Sequence, residues 1–138
     1  MLFRSAPTNS LLINTGAGDD TLNASGGDSL LTVGLQLLGS GGNDSITGSS
    51  RNDTISGGGG NDILQAGSGT DTLLEQGDAN FTLGATTMTG IGIDSILGFE
   101  RAVITGGEGA NIINAATDRK STRLNSSHIP LSRMPSSA

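Results

Sequence analysis

Four aspartates, Asp44, Asp53, Asp62 and Asp71, stand nine residues apart. Carboxylates can serve acid–base chemistry in pairs, or hold a hard cation in rows. Four in strict register point to a structural row rather than a catalytic pair. The chain offers little else for catalysis. Its single histidine is His128, cysteine is absent, and no Gly-x-Ser-x-Gly elbow or phosphate-loop lysine occurs. No enzymatic activity is expected. With no thiolates, any metal site must be built from oxygen ligands.

The aspartates belong to a longer pattern. From Gly39 the chain divides into nines: GSGGNDSIT (39–47), GSSRNDTIS (48–56), GGGGNDILQ (57–65) and AGSGTDTLL (66–74). Ile46, Ile55, Leu64 and Leu73 each follow their aspartate by two. An earlier copy, TGAGDDTLN (15–23), carries Asp20 and Leu22 in the same places; a later one, GGEGANIIN (106–114), has Asn111 where the aspartate should be. An aliphatic residue at every ninth position is not expected of a flexible Gly/Asp linker. It suits a short strand whose central side chain points inward and whose neighbours point outward.

These units resemble the GGxGxDxUx nonapeptide of hemolysin-type calcium-binding (RTX) repeats, and 57–65 matches it at every fixed position. The stretches DTLLEQGDANFTL and GIDSILGFERAVITGG also look like segments of large bacterial RTX proteins. The resemblance implies an all-β fold, a parallel β-roll or β-solenoid of nonapeptide repeats. Six residues of each unit would turn, using glycine where φ is positive, and three would form a strand. Two nines make one coil, so Asp44 stacks on Asp62 along one side and Asp53 on Asp71 along the other. Stacked carboxylates repel unless a cation lies between them, and Ca2+, which takes six to eight oxygens, suits the position.

The resemblance also implies ligand sets. One site is Ser40, Gly42, Asp44, Gly57, Gly59 and Asp62; the other is Ser49, Arg51, Asp53, Ala66, Ser68 and Asp71. All the residues other than the aspartates would act through main-chain carbonyls. Arg51 and Ala66 replace glycines in the second set, and Arg51 lacks glycine's freedom in the turn, so the second site is expected to be the weaker. Asp20, 24 residues before Asp44, is out of phase with an eighteen-residue stack and is set aside, as is Asp28 in a unit one residue short. Glu75, Asp78, Glu100 and Glu108 read as solvated loop charges, and 79–117 as strand-like without the aspartate pattern.

Composition bounds the rest. The chain has 138 residues, 23 of them glycine, with 2% aromatics and no Trp or Tyr. Such a chain cannot build a deep apolar core, so a thin repetitive core needs another source of stability. The formal charge of −6 argues against nucleic acid as a partner, and nothing is long and apolar enough for membrane insertion. Residues 118–138, DRKSTRLNSSHIPLSRMPSSA, hold no glycine but four of the seven basic residues, and resemble a translated sequencing adapter. Without them the body carries twelve acidic and three basic residues, a net of −9. The expected organisation is an N-terminal flank (1–14), a calcium-binding roll (15–74, regular core 39–74), an irregular continuation or cap (75–117) and a non-native tail (118–138). The expected function is calcium binding by a fragment of a secreted or cell-surface bacterial protein, with calcium ions as partners and folding coupled to binding. The alternative is a structural or adhesive surface solenoid in which calcium is incidental.

Overall fold

The computed structural model describes residues 10–26 and 32–115, and of 121–126 the backbone alone. Asp28 lies outside the described residues. Thirteen strands follow one another: β1 (Leu11–Ala17), β2 (Thr21–Asn23), β3 (Leu35–Gly41), β4 (Ser45–Thr47), β5 (Thr54–Gly59), β6 (Ile63–Gln65), β7 (Thr72–Gly77), β8 (Phe81–Leu83), β9 (Thr87–Thr89), β10 (Ile93–Leu97), β11 (Arg101–Gly106), β12 (Ile113–Ala115) and β13 (Ser121–Ser126). Odd strands from β1 to β7 join β11 and β13 in one sheet; β2, β4 and β6 begin the other, which continues through β10, β9, β8 and β12. Outside β8–β10 the chain thus passes from sheet to sheet at each turn, and successive coils pair in parallel. This is the parallel β-roll expected from the repeats.

Alternation along each strand builds the core. In one sheet Leu37 pairs with Ile55 and Ile55 with Leu73, all fully buried. In the other, Ile46 pairs with Leu64 and Leu64 with Ile96, again buried. The two ladders pack into a single apolar cluster. Each coil contributes only a few side chains to it, as repeat architectures do.

Strand lengths differ from the expected three residues. The second sheet keeps three-residue strands at β2, β4 and β6, but β3 and β5 run on through the glycines of the next unit. There the pairing continues, Ser40 with Gly58 and Gly41 with Gly59, because the backbones of consecutive turns stay in register. Half of the 39–44 and 57–62 turns is therefore sheet, whereas 48–53 and 66–71 hold no strand residue.

Coil length also varies. The central coils place partners 18 residues apart, but Asp20 reaches Asp44 across 24, Asp71 reaches Glu100 across 29 and Asp62 reaches Asp94 across 32. In the longest coil β8, β9 and β10 fold back on one another, forming the two antiparallel pairings among the described residues. This excursion buries Phe81, Leu83 and Met88 and returns the chain to stack on β6. The tail set apart in the sequence reading also meets the fold: β13 lies parallel along β11, Arg101 opposite Ser121. A sheet edge offers backbone donors and acceptors to any extended segment, so such pairing requires no repeat sequence.

Candidate metal centre

Two rows of carboxylates run along the two turn edges, tied to the backbone in the same way. On the first edge the Asp20 N–H donates to Asp44 Oδ1 (2.9 Å), the Asp44 N–H to Asp62 Oδ1 (2.8 Å) and the Asp62 N–H to Asp94 Oδ1 (3.0 Å). On the second, the Leu35 N–H donates to Asp53 Oδ1 (2.8 Å), the Asp53 N–H to Asp71 Oδ1 (2.7 Å) and the Asp71 N–H to Glu100 Oε2 (2.8 Å). Each carboxylate thus braces the coil before it. Asparagines brace in the opposite sense: Asn43, Asn52 and Asn61 accept the N–H groups of Asn61, Thr70 and Ile93.

The second oxygen of each aspartate distinguishes the edges. Asp20, Asp44 and Asp62 each bury an Oδ2 that has no hydrogen-bond partner. Buried polar atoms are rarely left so, and an orphaned carboxylate oxygen is an unmet ligand. On the second edge Asp71 Oδ2 is likewise orphaned. Asp53 is not. The Ser49 N–H donates to its Oδ2 (2.6 Å), and the Ser49 hydroxyl lies 3.0 and 2.8 Å from its two oxygens.

Main-chain carbonyls complete the arrangement. A Cβ on Gly58 would collide with the Ser40 carbonyl, and one on Gly60 with that of Gly42. Those oxygens therefore face the next turn, as the first ligand set requires. The Gly57 carbonyl lies beside Asp44 Oδ2 against Gly39, while that of Gly59 accepts the Gly42 N–H (2.8 Å). In the second set the Ser49 and Arg51 carbonyls face Gly67 and Gly69, and that of Ala66 faces Gly48 beside Asp53 Oδ2. Ser68 is exposed in the same turn and donates its N–H to the Ser49 carbonyl (3.2 Å).

Backbone strain at Arg51 does not weaken the second site. Arg51 does not take a positive φ; among the described non-glycine residues only Ser40 does, at 82°. The 48–53 turn follows another path, held by Ser49, whose hydroxyl also accepts the Arg51 N–H (3.1 Å). Arginine is therefore unstrained there, and what limits this turn is a carboxylate already supplied with donors.

Electrostatics favour a cation along both rows. Burial raises Asp62, and the neighbouring Asp44 adds to it against the pull of the Asp44 N–H. Burial likewise lifts Asp71 to about 6, with Asp53 and Glu100 repelling it, and Asp94 to about 6, with Asp62 repelling it. Among the described residues no three His, Cys, Asp or Glu side chains form a ready-made cage. An ion here would draw on one carboxylate from each of two turns and on carbonyls between them. That donor set is hard, all oxygen and flexible, which fits Ca2+.

Asp20, Asp94 and Glu100 join the four regular aspartates in these rows. Asp20 does stack on Asp44, because the six extra residues of its coil are accommodated between β2 and β3 and the phase recovers. Asp94 had a legible signal: Gly90, Gly92, Asp94 and Ile96 repeat the spacing of Gly58, Gly60, Asp62 and Leu64. Glu100 had none of comparable quality. Glu75 is not a solvated charge but is 2% exposed. Asp78 braces the last coil, accepting the Gly109 N–H (3.0 Å) and the Asn111 side-chain amide (2.9 Å).

A parallel roll with carboxylates stacked at its turns and carbonyls between them defines a cation-stapled repeat protein. The RTX calcium-binding nonapeptide repeat family model matches four copies, over residues 12–31, 38–73 and 103–118, just over half of the chain. The chain belongs to that family of calcium-binding repeats. No curated protein and no solved structure matches it.

Proposed function

We propose that the chain is a module of a secreted protein that folds on binding calcium outside the cell and carries no catalysis of its own. The observation that carries this reading is the row of buried, unpartnered Oδ2 atoms on Asp20, Asp44, Asp62 and Asp71. Left bare, these oxygens oppose folding; coordinated, they supply free energy that the thin aliphatic ladder lacks. Sites built largely from neutral carbonyls suit the weak, extracellular range of affinity, about 10⁻⁴–10⁻³ M. The Asp44/Asp62 and Asp53/Asp71 sets are the principal sites, and Asp20 extends the first row by one turn.

Far-UV circular dichroism in chelator and at millimolar calcium tests the reading. The expected result is a largely disordered chain that gains β signal with calcium. Equal spectra in the two conditions would instead favour the second reading, a surface solenoid that binds a partner. Exposed Ile63, Ile93 and Leu97 on β6 and β10 give that reading its support.

A further inference from the structure

Asparagine is the fifth residue of three successive nines, at Asn43, Asn52 and Asn61, a place the nonapeptide leaves unspecified. Each side chain is exposed, beside a buried aspartate. Each Oδ1 accepts a backbone N–H from the turn that follows: Asn43 from Asn61 (2.9 Å), Asn52 from Thr70 (2.9 Å) and Asn61 from Ile93 (2.8 Å). Asp19, the fifth residue of its own unit, does the same for the Asn43 N–H (2.7 Å).

Parallel pairing would send those N–H groups elsewhere. In a parallel ladder the N–H of a residue goes to the carbonyl just before its partner. Two residues further along each turn this holds. The Ile63 N–H donates to the Asp44 carbonyl, the Thr72 N–H to that of Asp53 and the Ser95 N–H to that of Asp62, each at 2.8 Å. By the same rule Asn61 would donate to the Gly42 carbonyl, Thr70 to that of Arg51, Ile93 to that of Gly60 and Asn43 to that of Gly18. All four carbonyls do face the following turn, since a Cβ on Gly60, Gly69, Gly92 or Gly42 would meet them. Yet among the described residues none of the four accepts a hydrogen bond. The side chain of the fifth residue has taken the donor.

We propose that Asn43, Asn52 and Asn61 are positioning residues that keep the carbonyl just before them open to an ion. This rests on the reading of the rows as calcium sites, in which Gly42 and Arg51 act through those carbonyls. Each asparagine does for a carbonyl the opposite of what Ser49 does to Asp53: it removes a competing donor instead of supplying one. Because the amide is neutral, it holds the N–H with or without calcium and adds no charge to an acidic edge. Ile93, next in the series on the first edge, has no side-chain acceptor to offer, and the series ends there.

The test compares the whole chain with Asn43→Ala and Asn43→Asp. Alanine frees the Asn61 N–H to fall back on the Gly42 carbonyl; aspartate keeps the acceptor, as Asp19 does. Calcium affinity at one ion should fall about three- to tenfold in Asn43→Ala, the scale of one hydrogen bond. Terbium luminescence lifetimes in light and heavy water should show one more inner-sphere water at that ion, and Asn43→Asp should restore the parent's hydration. Scalar coupling across the hydrogen bond of the Asn61 amide should pass from the Asn43 side-chain carbon in the parent to the Gly42 carbonyl carbon in Asn43→Ala. Unchanged affinity and hydration in Asn43→Ala would overturn the proposal. So would an equal weakening of every ion with hydration unchanged, which marks a strut and no more. Failure of the parent chain to bind calcium at all would instead overturn the reading beneath it.

Discussion

The two edges of the roll carry the same aspartate spacing and are not the same site. On the first, Asp44 and Asp62 each give one oxygen to a backbone N–H and bury the other without a partner, and Gly42, Gly58 and Gly60 hold positive φ. On the second, Asp71 matches this but Asp53 does not, because Ser49 donates to its carboxylate from within the same turn. A carboxylate is a strong ligand only while nothing else in the fold satisfies it. Removing Ser49's donors would cost the turn a cap; leaving them costs the ion a ligand. Spacing decides where a carboxylate stands, and the path of its own turn decides how free it is: Ser40, four before Asp44, turns at a φ of 82° and bonds Asn14, whereas Ser49 caps Asp53.

The largest expected difference between the edges follows from Asp62, which touches the coils on both sides. Asp62→Asn keeps an acceptor for the Asp44 N–H but removes the charge shared along the first row. Calcium affinity should fall about tenfold or more, roughly 1.4 kcal/mol. Asp53→Asn should lose clearly less, since its charge is already offset by Ser49. Calorimetric titration of both variants decides; equal losses would erase the distinction between the edges.

Next in size is the repair of the weaker edge. Ser49→Gly removes the hydroxyl from Asp53 and lets the turn adopt the path of 58–60, so terbium should bind more tightly at the second edge. Arg51→Gly should leave affinity unchanged, because Arg51 is not held at positive φ. An improvement with Arg51→Gly and none with Ser49→Gly would return the explanation to backbone strain.

Proton binding gives a smaller effect that both edges share. Asp71 and Asp94, raised to about 6, and Glu75, raised to about 8, hold protons more tightly folded than unfolded. Their contribution to stability is therefore full below their unfolded values, near about 4, and is lost as pH rises through 6 and towards 8. In chelator the chain should gain β signal as pH falls from 8 to 5. With calcium the trend should reverse, since protons and calcium compete for the same oxygens. A calcium-free β signal that grows with pH would contradict the burial of these acids.

The smallest effect concerns Ser40 on the first edge, held at a φ of 82°. Ser40→Gly should relieve up to about 1 kcal/mol of strain, less what is lost with its hydrogen bond to Asn14. Urea denaturation in calcium would show a small gain in stability. A clear loss would mean that the Asn14 contact outweighs the strain.

Much of this was legible in the sequence, and the misses share a cause. Asp44, Asp53, Asp62 and Asp71 with their aliphatic partners specify the roll and both edges, because fixed spacing and side-chain period translate directly into stacking. Asp20 and Asp94 fall outside a constant eighteen-residue spacing, because the chain absorbs 24 or 32 residues per coil and still returns to register. Glu75 was lost because an acid in a place reserved for glycine looks like a break in the motif. The Ser49 cap is invisible to a pattern that reads only glycine and aspartate. Variable coil length is tolerated because added loop costs little entropy, while the stacked turns retain their hydrogen bonds.

The central claim is that the orphaned carboxylate oxygens are calcium ligands. A crystal grown in calcium and measured at a wavelength where calcium scatters anomalously tests it directly. Anomalous peaks should lie about 2.3–2.6 Å from the Oδ2 atoms of Asp44 and Asp62, between the turns that carry them, with Ser40, Gly42 and Gly57 carbonyls in the same shell. A well-ordered roll with no anomalous signal at those oxygens, only water or a neighbouring donor, would contradict the account.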